Sequence, residues 1–166
     1  MDSAKIQIAE ERPSDWWEVE ALFDLCFAPG RSALSSYRLR DDVSPVRPLC
    51  LTARDKDGIL AGAVRNWPVR IGPHDALLLG PIAVHPTRQG EGLASVLMAE
   101  CAARAKAAGW LRIILVGDLP YYGRFGFERL DHVTMPAPTN PDRVLGLALF
   151  PGSWDQVAGD VERAAD

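Results

Sequence analysis

The sequence predicts a mixed α/β domain of the α+β kind, with a mostly antiparallel sheet, flanking helices and one strand–helix–strand unit. Three observations lead there. Short apolar runs are separated by the tight-turn residues Lys56-Asp57-Gly58 and Gly72-Pro73 at hairpin spacing. One long stripe, Leu93, Val96, Leu97, Cys101, Ala105 and Ala108, has helical period and lies between two apolar runs. The 166 residues contain no linker and no internal repeat, so 1–166 reads as a single domain.

Each element has its own signal. Ile6-Gln7-Ile8 alternates and predicts a first strand. Ser14 is placed to cap a helix over 14–27, with Val19, Leu22, Phe23 and Cys26 on one face and Pro29-Gly30 to end it. A second short helix is expected over 34–40, then a loop over 41–48. Residues 49–53 and 59–69 read as paired strands. Residues 76–84 are strongly apolar and too few for a long helix, which predicts a central strand. The helix over 92–108 carries the i,i+4 pair Glu100 and Arg104 and stops at Gly109. A β-branched strand over 112–116 follows, then a turn or two of helix over 120–125. Late strands are expected over 127–130 and 144–150, on either side of the Pro-rich stretch 135–141, and the tail over 154–166 is expected to add a short helix anchored by Trp154. Trp17 is expected to pack under the first helix, with Trp16 exposed. Glu10-Glu11-Arg12 and residues 38–42 read as solvated charge.

Composition narrows the function. Net charge is −4 and the basic residues are scattered, so neither nucleic acid nor an anionic membrane surface is an expected partner. No apolar stretch approaches the ~20 residues of a membrane span, and Met1-Asp2-Ser3-Ala4-Lys5 does not open a secretory signal. Cys26, Cys50 and Cys101 are odd in number and dispersed, which fits a reducing cytoplasm better than a disulfide framework or a zinc site; no metal is expected. Monomer and homodimer both remain open.

The most informative segment runs from Gly80 through Ile82-Ala83-Val84-His85-Pro86 to Gln89-Gly90-Glu91-Gly92-Leu93-Ala94-Ser95. It sets a buried strand, a Gly-rich turn and a helix start in that order. A helix start offers free N–H groups and the positive end of the dipole, and Gly90, Gly92 and the small Ala94 let an anion come close. A P-loop is excluded because no Gly-Lys-Ser/Thr follows. The dinucleotide fingerprint is only partly met, since Ser95 stands where the third glycine belongs.

Gln89-x-x-Gly92-x-Ala94 resembles the Arg/Gln-x-x-Gly-x-Gly/Ala signature of the GNAT superfamily of N-acetyltransferases. The preceding Ile82-Ala83-Val84-His85-Pro86 is similar to that family's fourth strand. Tyr122-Gly123-Arg124-Phe125-Gly126-Phe127 is similar to its Tyr-x-x-x-Gly-Phe ending, and the run from Gly117 to Phe127 looks like the YhbS-type bacterial branch.

The resemblance implies a GNAT-like sheet splayed at its centre and direct attack of a substrate amine on acetyl-CoA. The turn from Gln89 through Gly90, Glu91, Gly92 and Leu93 to Ala94, with Ser95, would hold the pyrophosphate. Ile82, Ala83 and Val84 would run along the pantetheine arm as an added strand does, and the N–H of Val84 would face the thioester oxygen. Tyr122 would protonate the departing thiolate, a phenol near ~10 being close enough to a thiol near ~8.5. Tyr121 reads as structural. For the general base, His85, Asp118 and a water chain stay open; Asp118 also reads as a helix N-cap. Phe27 and Arg31 fall in the segment that covers the acceptor site in the family, with Arg31 a candidate for an acidic acceptor. The acceptor itself, a small-molecule or peptide amine, is not identified. The alternative is a non-catalytic acyl-CoA-binding module, which needs the turn but not Tyr122.

Overall fold

The computed structural model describes residues 5–27 and 35–164. Among them nine strands join in the order β1-β2-β3-β4-β5-β8-β6, with β9 on a further stretch of β3 and β7 on β9. They are β1 (Gln7–Glu10), β2 (Leu51–Arg54), β3 (Leu60–Ile71), β4 (His74–Val84), β5 (Arg112–Val116), β6 (Glu128–Arg129), β7 (Val133–Thr134), β8 (Val144–Ala148) and β9 (Gly159–Arg163). Pairing is antiparallel except for β4 with β5 and the short β7–β9 contact. The helices are α1 (Trp16–Cys26), α2 (Leu93–Ala107) and the single turn α3 (Leu119–Tyr122). The expected class, a mostly antiparallel mixed sheet with flanking helices, is the observed one.

The helices cover opposite faces because their apolar stripes do. From α2, Leu97, Met98, Cys101 and Ala105 bury against Leu51, Val64, Leu77, Leu79, Ile113 and Leu115. From α1, Val19, Leu22 and Phe23 bury against Leu60, Ala63 and Ala83. Gly62 is a packing requirement: a Cβ there would sit 3.0 Å from a Leu97 methyl and 3.1 Å from the Ala83 carbonyl.

The feature that shapes the site is a bulge in β4. Val64 pairs with Ile82 and Asn66 with Leu79, so Gly80 and Pro81 together face the single residue Arg65. The extra residue reverses the side-chain alternation. Before it, odd-numbered Leu77 and Leu79 join the α2 core; after it, even-numbered Ile82 packs on that same core. Proline is tolerated here because a bulge spares it a ladder donor. The bulge is pinned from β3: the buried Trp67 Nε1–H donates to the Gly80 carbonyl at 3.0 Å.

Several local expectations are corrected. Ser14 does not cap α1. It lies in a 3₁₀ turn, Pro13–Asp15, whose entry is closed by the Asp15 carboxylate accepting from the Arg12 N–H at 2.8 Å. Trp17 is 80% exposed, whereas Trp16 is half-buried under the Arg65 guanidinium, 3.7 Å from its ring centroid. Glu11 is buried rather than solvated, 3.0 Å from Arg65 Nη2; Glu20 completes that buried cluster. The described part of the tail forms no helix. It turns at 151–156 and returns as β9, with Val69, Arg70 and Ile71 opposite Arg163, Glu162 and Val161. The second short helix is 3₁₀ over Ser35–Arg40, and Pro29-Gly30 lies outside the described residues. No helix among those residues is long and apolar enough to cross a membrane.

Trp67→Phe keeps an aromatic ring but strips the Gly80 carbonyl of its buried donor. Urea unfolding should show a loss of about 1–3 kcal/mol. An unchanged midpoint and slope would mean the bulge holds without this bond.

Candidate active site

A cleft opens where β4 leaves β5. Their parallel register covers only Leu77 with Ile113 and Leu78 with Ile114. Beyond it, Leu79, Gly80, Pro81 and Ile82 form one wall and Leu115 and Val116 the other, enclosing about 140 Å³. Phe27 at the end of α1, Ser36, Tyr37 and Arg40 of the 3₁₀ segment, Leu78 of β4 and Tyr122 of α3 complete the lining.

Backbone direction along the β4 wall follows from its pairing with β3. The His85 N–H donates to the Ala61 carbonyl at 2.8 Å, and Ala83 stands opposite Ala63. In an antiparallel ladder, residues alternate between facing the partner strand and facing away. Ile82 and Val84 therefore turn their N–H and C=O groups away from β3. The Val84 carbonyl, on that outward side, accepts from the Cys26 thiol at 3.4 Å.

The turn after β4 presents donors and hides its acid. Gly90 and Gly92 have φ of 89° and 81°, the left-handed region, and a Cβ on either would meet nothing within 4 Å. Both glycines thus serve backbone conformation and leave an open face. Gly92 is the N-cap of α2 and supplies no side-chain cap. The N–H groups of Leu93, Ala94 and Ser95 consequently have no acceptor within the helix. Glu91 would repel an anion, but Arg88 Nε lies 3.0 Å from each of its carboxylate oxygens. Arg88 also reaches Asp55 at 3.4 Å. The N–H groups of Ile59 and Asp57 hold the Asp55 carboxyl below its usual range, with Arg88 adding to the effect. The β2–β3 hairpin thereby braces the turn.

Tyr122 is set by its own motif. Its N–H donates to the Asp118 carbonyl at 2.9 Å, closing α3. Its ring packs edge-on to Tyr121 at 4.9 Å and Phe127 at 5.9 Å between centroids. Gly117 makes room, since any Cβ there would overlap the ring edge of Tyr122. Burial raises the Tyr122 phenol to about 12. Tyr121 is exposed, with the Arg124 guanidinium 4.3 Å from its ring centroid.

Of the residues singled out from sequence, the structure brings Phe27, Ile82 and Tyr122 together in the cleft. Ala83 turns its side chain into the α1 core. Gln89 and Ser95 are exposed, Leu93 is buried, and Ala94 is half-buried. Two base candidates do not line the cleft. His85 Nδ1 accepts from the Thr87 N–H at 3.2 Å, so the ring caps the 3₁₀ turn Pro86–Arg88. The Asp118 side chain is 74% exposed and 3.4 Å from Arg143; it stands at the N-cap of α3 without making a capping bond. Arg31 lies outside the described residues. Arg40, read from sequence as solvated, is the residue that sequence reasoning missed. The signal was Tyr37-x-x-Arg40: three residues apart in a 3₁₀ segment, side chains eclipse, and the guanidinium lies 3.8 Å from the Tyr37 ring centroid.

A parallel strand pair that parts, followed through a 3₁₀ turn and a glycine turn by an uncapped helix start, is the arrangement of an enzyme with an open cleft beside an anion-receptive turn. Comparison with known proteins makes the class specific. The acetyltransferase (GNAT) domain family matches residues 47–129. The chain is 32% identical over 127 residues to the uncharacterized N-acetyltransferase YhbS of Escherichia coli (strain K12), covering 75% of each. A crystal structure of YhbS from Escherichia coli in complex with CoA superposes with a TM-score of 0.84 at 27% identity, over 96% of this chain and 90% of that one. A GNAT family acetyltransferase from Brucella melitensis in complex with acetyl-CoA gives 0.73 at 30% identity, over 96% of both chains. The chain belongs to the GNAT family of N-acetyltransferases.

The raised Tyr122 phenol has a signed consequence. A folded value near 12 against ~10 unfolded means that the folded state holds this proton more tightly. The associated stability is whole below pH ~10 and is lost as pH climbs through 12. Phenolate absorbance should show one late-titrating tyrosine that vanishes in Tyr122→Phe, and that variant should lose stability less steeply over this window. A late tyrosine surviving in Tyr122→Phe would assign the burial elsewhere.

Proposed function

We propose that the chain transfers the acetyl group of acetyl-CoA to a primary amine of a small-molecule or peptide acceptor by direct attack. The observation that carries this is the cleft itself: Tyr122 lines it, and the strand forming its wall leads through the turn 85–92 to the uncapped start of α2. The donor's groups fit what is there. Two positive-φ glycines without Cβ neighbours and a helix start short of acceptors suit a pyrophosphate. The outward polar groups of Ile82 and Val84 suit an amide-bearing arm laid alongside β4.

Acetyl-CoA supplies an activated thioester when bound. The N–H groups from Gly90 to Ser95 hold its phosphates, with Gln89 and Glu91 framing the turn and the Ser95 hydroxyl within the first helical turn. The Val84 N–H is the donor for the oxygen on which negative charge grows, a contact worth ~3 kcal/mol of barrier in acyl-transfer enzymes. Tyr122 serves the departing sulfur. At about 12 its phenol stays protonated across neutral pH. It is also a weaker acid than a free phenol, so proton transfer to a thiolate of ~8.5 is uphill and hydrogen-bond donation leads. Among the described residues no His, Asp or Glu lines the cleft, so the amine's proton leaves through water. Phe27 walls the acceptor side. The three cysteines are unbridged, which supports a reducing, cytoplasmic setting, and residues 1–166 act as one domain.

Gly92→Glu sets a side chain and a like charge in the phosphate path. Calorimetry should show acetyl-CoA affinity falling at least about tenfold, with the ligand-free thermal midpoint holding within a few degrees. Unchanged affinity in the folded variant would remove the turn from the site.

Tyr122→Phe keeps the packing and removes the donor. With a working amine acceptor, the turnover number should fall by ~10²–10³, the loss expected for one transition-state hydrogen-bond donor, while acetyl-CoA affinity changes little; Tyr121→Phe is the near-neutral control. Parental turnover in Tyr122→Phe would make the tyrosine structural.

A further inference from the structure

We propose that the acceptor is a small primary amine that also carries a carboxylate, and that Arg40 holds this carboxylate in the cleft. The proposal rests on the acetyl-transfer reading and adds the substrate class.

Among the described residues lining the cleft, Arg40 is the only charged side chain; the walls beside it are Leu78, Ile82, Leu115 and Val116. A cation set between apolar walls acts through a low dielectric, where its attraction for an anion is stronger than at an open surface. The chain as a whole is acidic, at −4, so a positive charge in this cleft opposes the prevailing sign.

Arg40 is also held in place. Leu39 beside it is buried. Its guanidinium stacks 3.8 Å from the Tyr37 centroid and lies 5.6 Å from that of Trp67, the residue that pins the bulge. Arg163 of β9 donates to the Asp41 carbonyl at 3.0 Å, bracing the end of the same segment. Stacking engages the faces of a guanidinium, and its donors lie in the plane, where a carboxylate meets them. One of them reaches the point where β4 leaves β5: Nη2 is 3.5 Å from where a Gly80 Cβ would stand.

Charge selects the class: one cation balances one carboxylate rather than a doubly charged phosphate, and the enclosed space of about 140 Å³ favours a small acceptor.

The test measures thiol release from acetyl-CoA with a panel of small amino acids, each paired with its methyl ester. The ester's amine is the less basic and so more available at neutral pH, and a preference for the acid therefore runs against intrinsic reactivity. Wild type should favour acids in kcat/KM by at least about tenfold, as expected where a buried donor recognises one group of a substrate. Arg40→Gln should erase that preference by raising KM for the acids, leaving the esters and the calorimetric affinity for acetyl-CoA within about twofold; Arg40→Lys should retain part of it. The wild-type comparison stands even if a variant fails to fold. Equal use of acids and esters, or no acetylated acid while acetyl-CoA binds, would overturn the inference. So would loss of acetyl-CoA affinity in Arg40→Gln, which would assign the cation to the donor. Failure of wild type both to bind acetyl-CoA and to acetylate any amine would instead overturn the transfer reading beneath it.

Discussion

One hydrogen bond, from the Trp67 indole to the Gly80 carbonyl at 3.0 Å, fixes the geometry on which the site depends. It holds the bulged residues of β4 against β3. With Gly80-Pro81 set opposite Arg65, β4 stays on β3 while parting from β5 after Leu78 and Ile114. The cleft is the space left by that divergence. Arg65 secures the same place from α1's side of the sheet, stacked on Trp16 and held by Glu11 and Glu20. A buried charge cluster of this kind adds little net stability over an apolar one, yet it is costly to break. Its effect is to fix where α1 sits, and the end of α1 brings Phe27 to the cleft and the Cys26 thiol to the Val84 carbonyl.

Charge around the turn after β4 is paired within an acidic chain. The acid within that turn, Glu91, is held by Arg88, and Arg88 is held in turn by Asp55. The donors of the turn are backbone N–H groups at a capless helix start, already ordered by the helix itself. Inside the cleft, by contrast, Tyr122 and Arg40 line the walls with polar side chains. Each packs against aromatic rings, Tyr122 edge-on and Arg40 face-on, which restricts its rotamers in advance.

Much of this was legible in the sequence because it is local. Gly90, Gly92 and the apolar run before them announce a strand, an anion-receptive turn and a helix within twenty residues. The span from Gly117 to Phe127 carries its own logic too, since Gly117 is the space that Tyr122 fills. What was illegible is what depends on distant partners. Trp16 and Trp17 are neighbours in sequence, and only the position of Arg65 decides which is covered. β9 buries just Val161 amid exposed neighbours, so no alternation announces it. Arg40 sits in a charged run that reads as solvated, and it is drawn into the cleft by Tyr37, Trp67 and the returning tail. Asp118 and His85 had suitable chemistry and local positions, but each is engaged nearby, with Arg143 and Thr87.

The central claim is that the divergence of β4 from β5 and the turn that follows form one donor site. Backbone amide NMR during a titration with acetyl-CoA tests it most directly. The account predicts shifts concentrated at Ile82, Val84 and the amides from Gly90 to Ser95, with the paired residues Leu77, Leu78, Ile113 and Ile114 moving little. Shifts gathered instead at the opposite end of the sheet, around His74, Asp75 and residues 108–112, would contradict it.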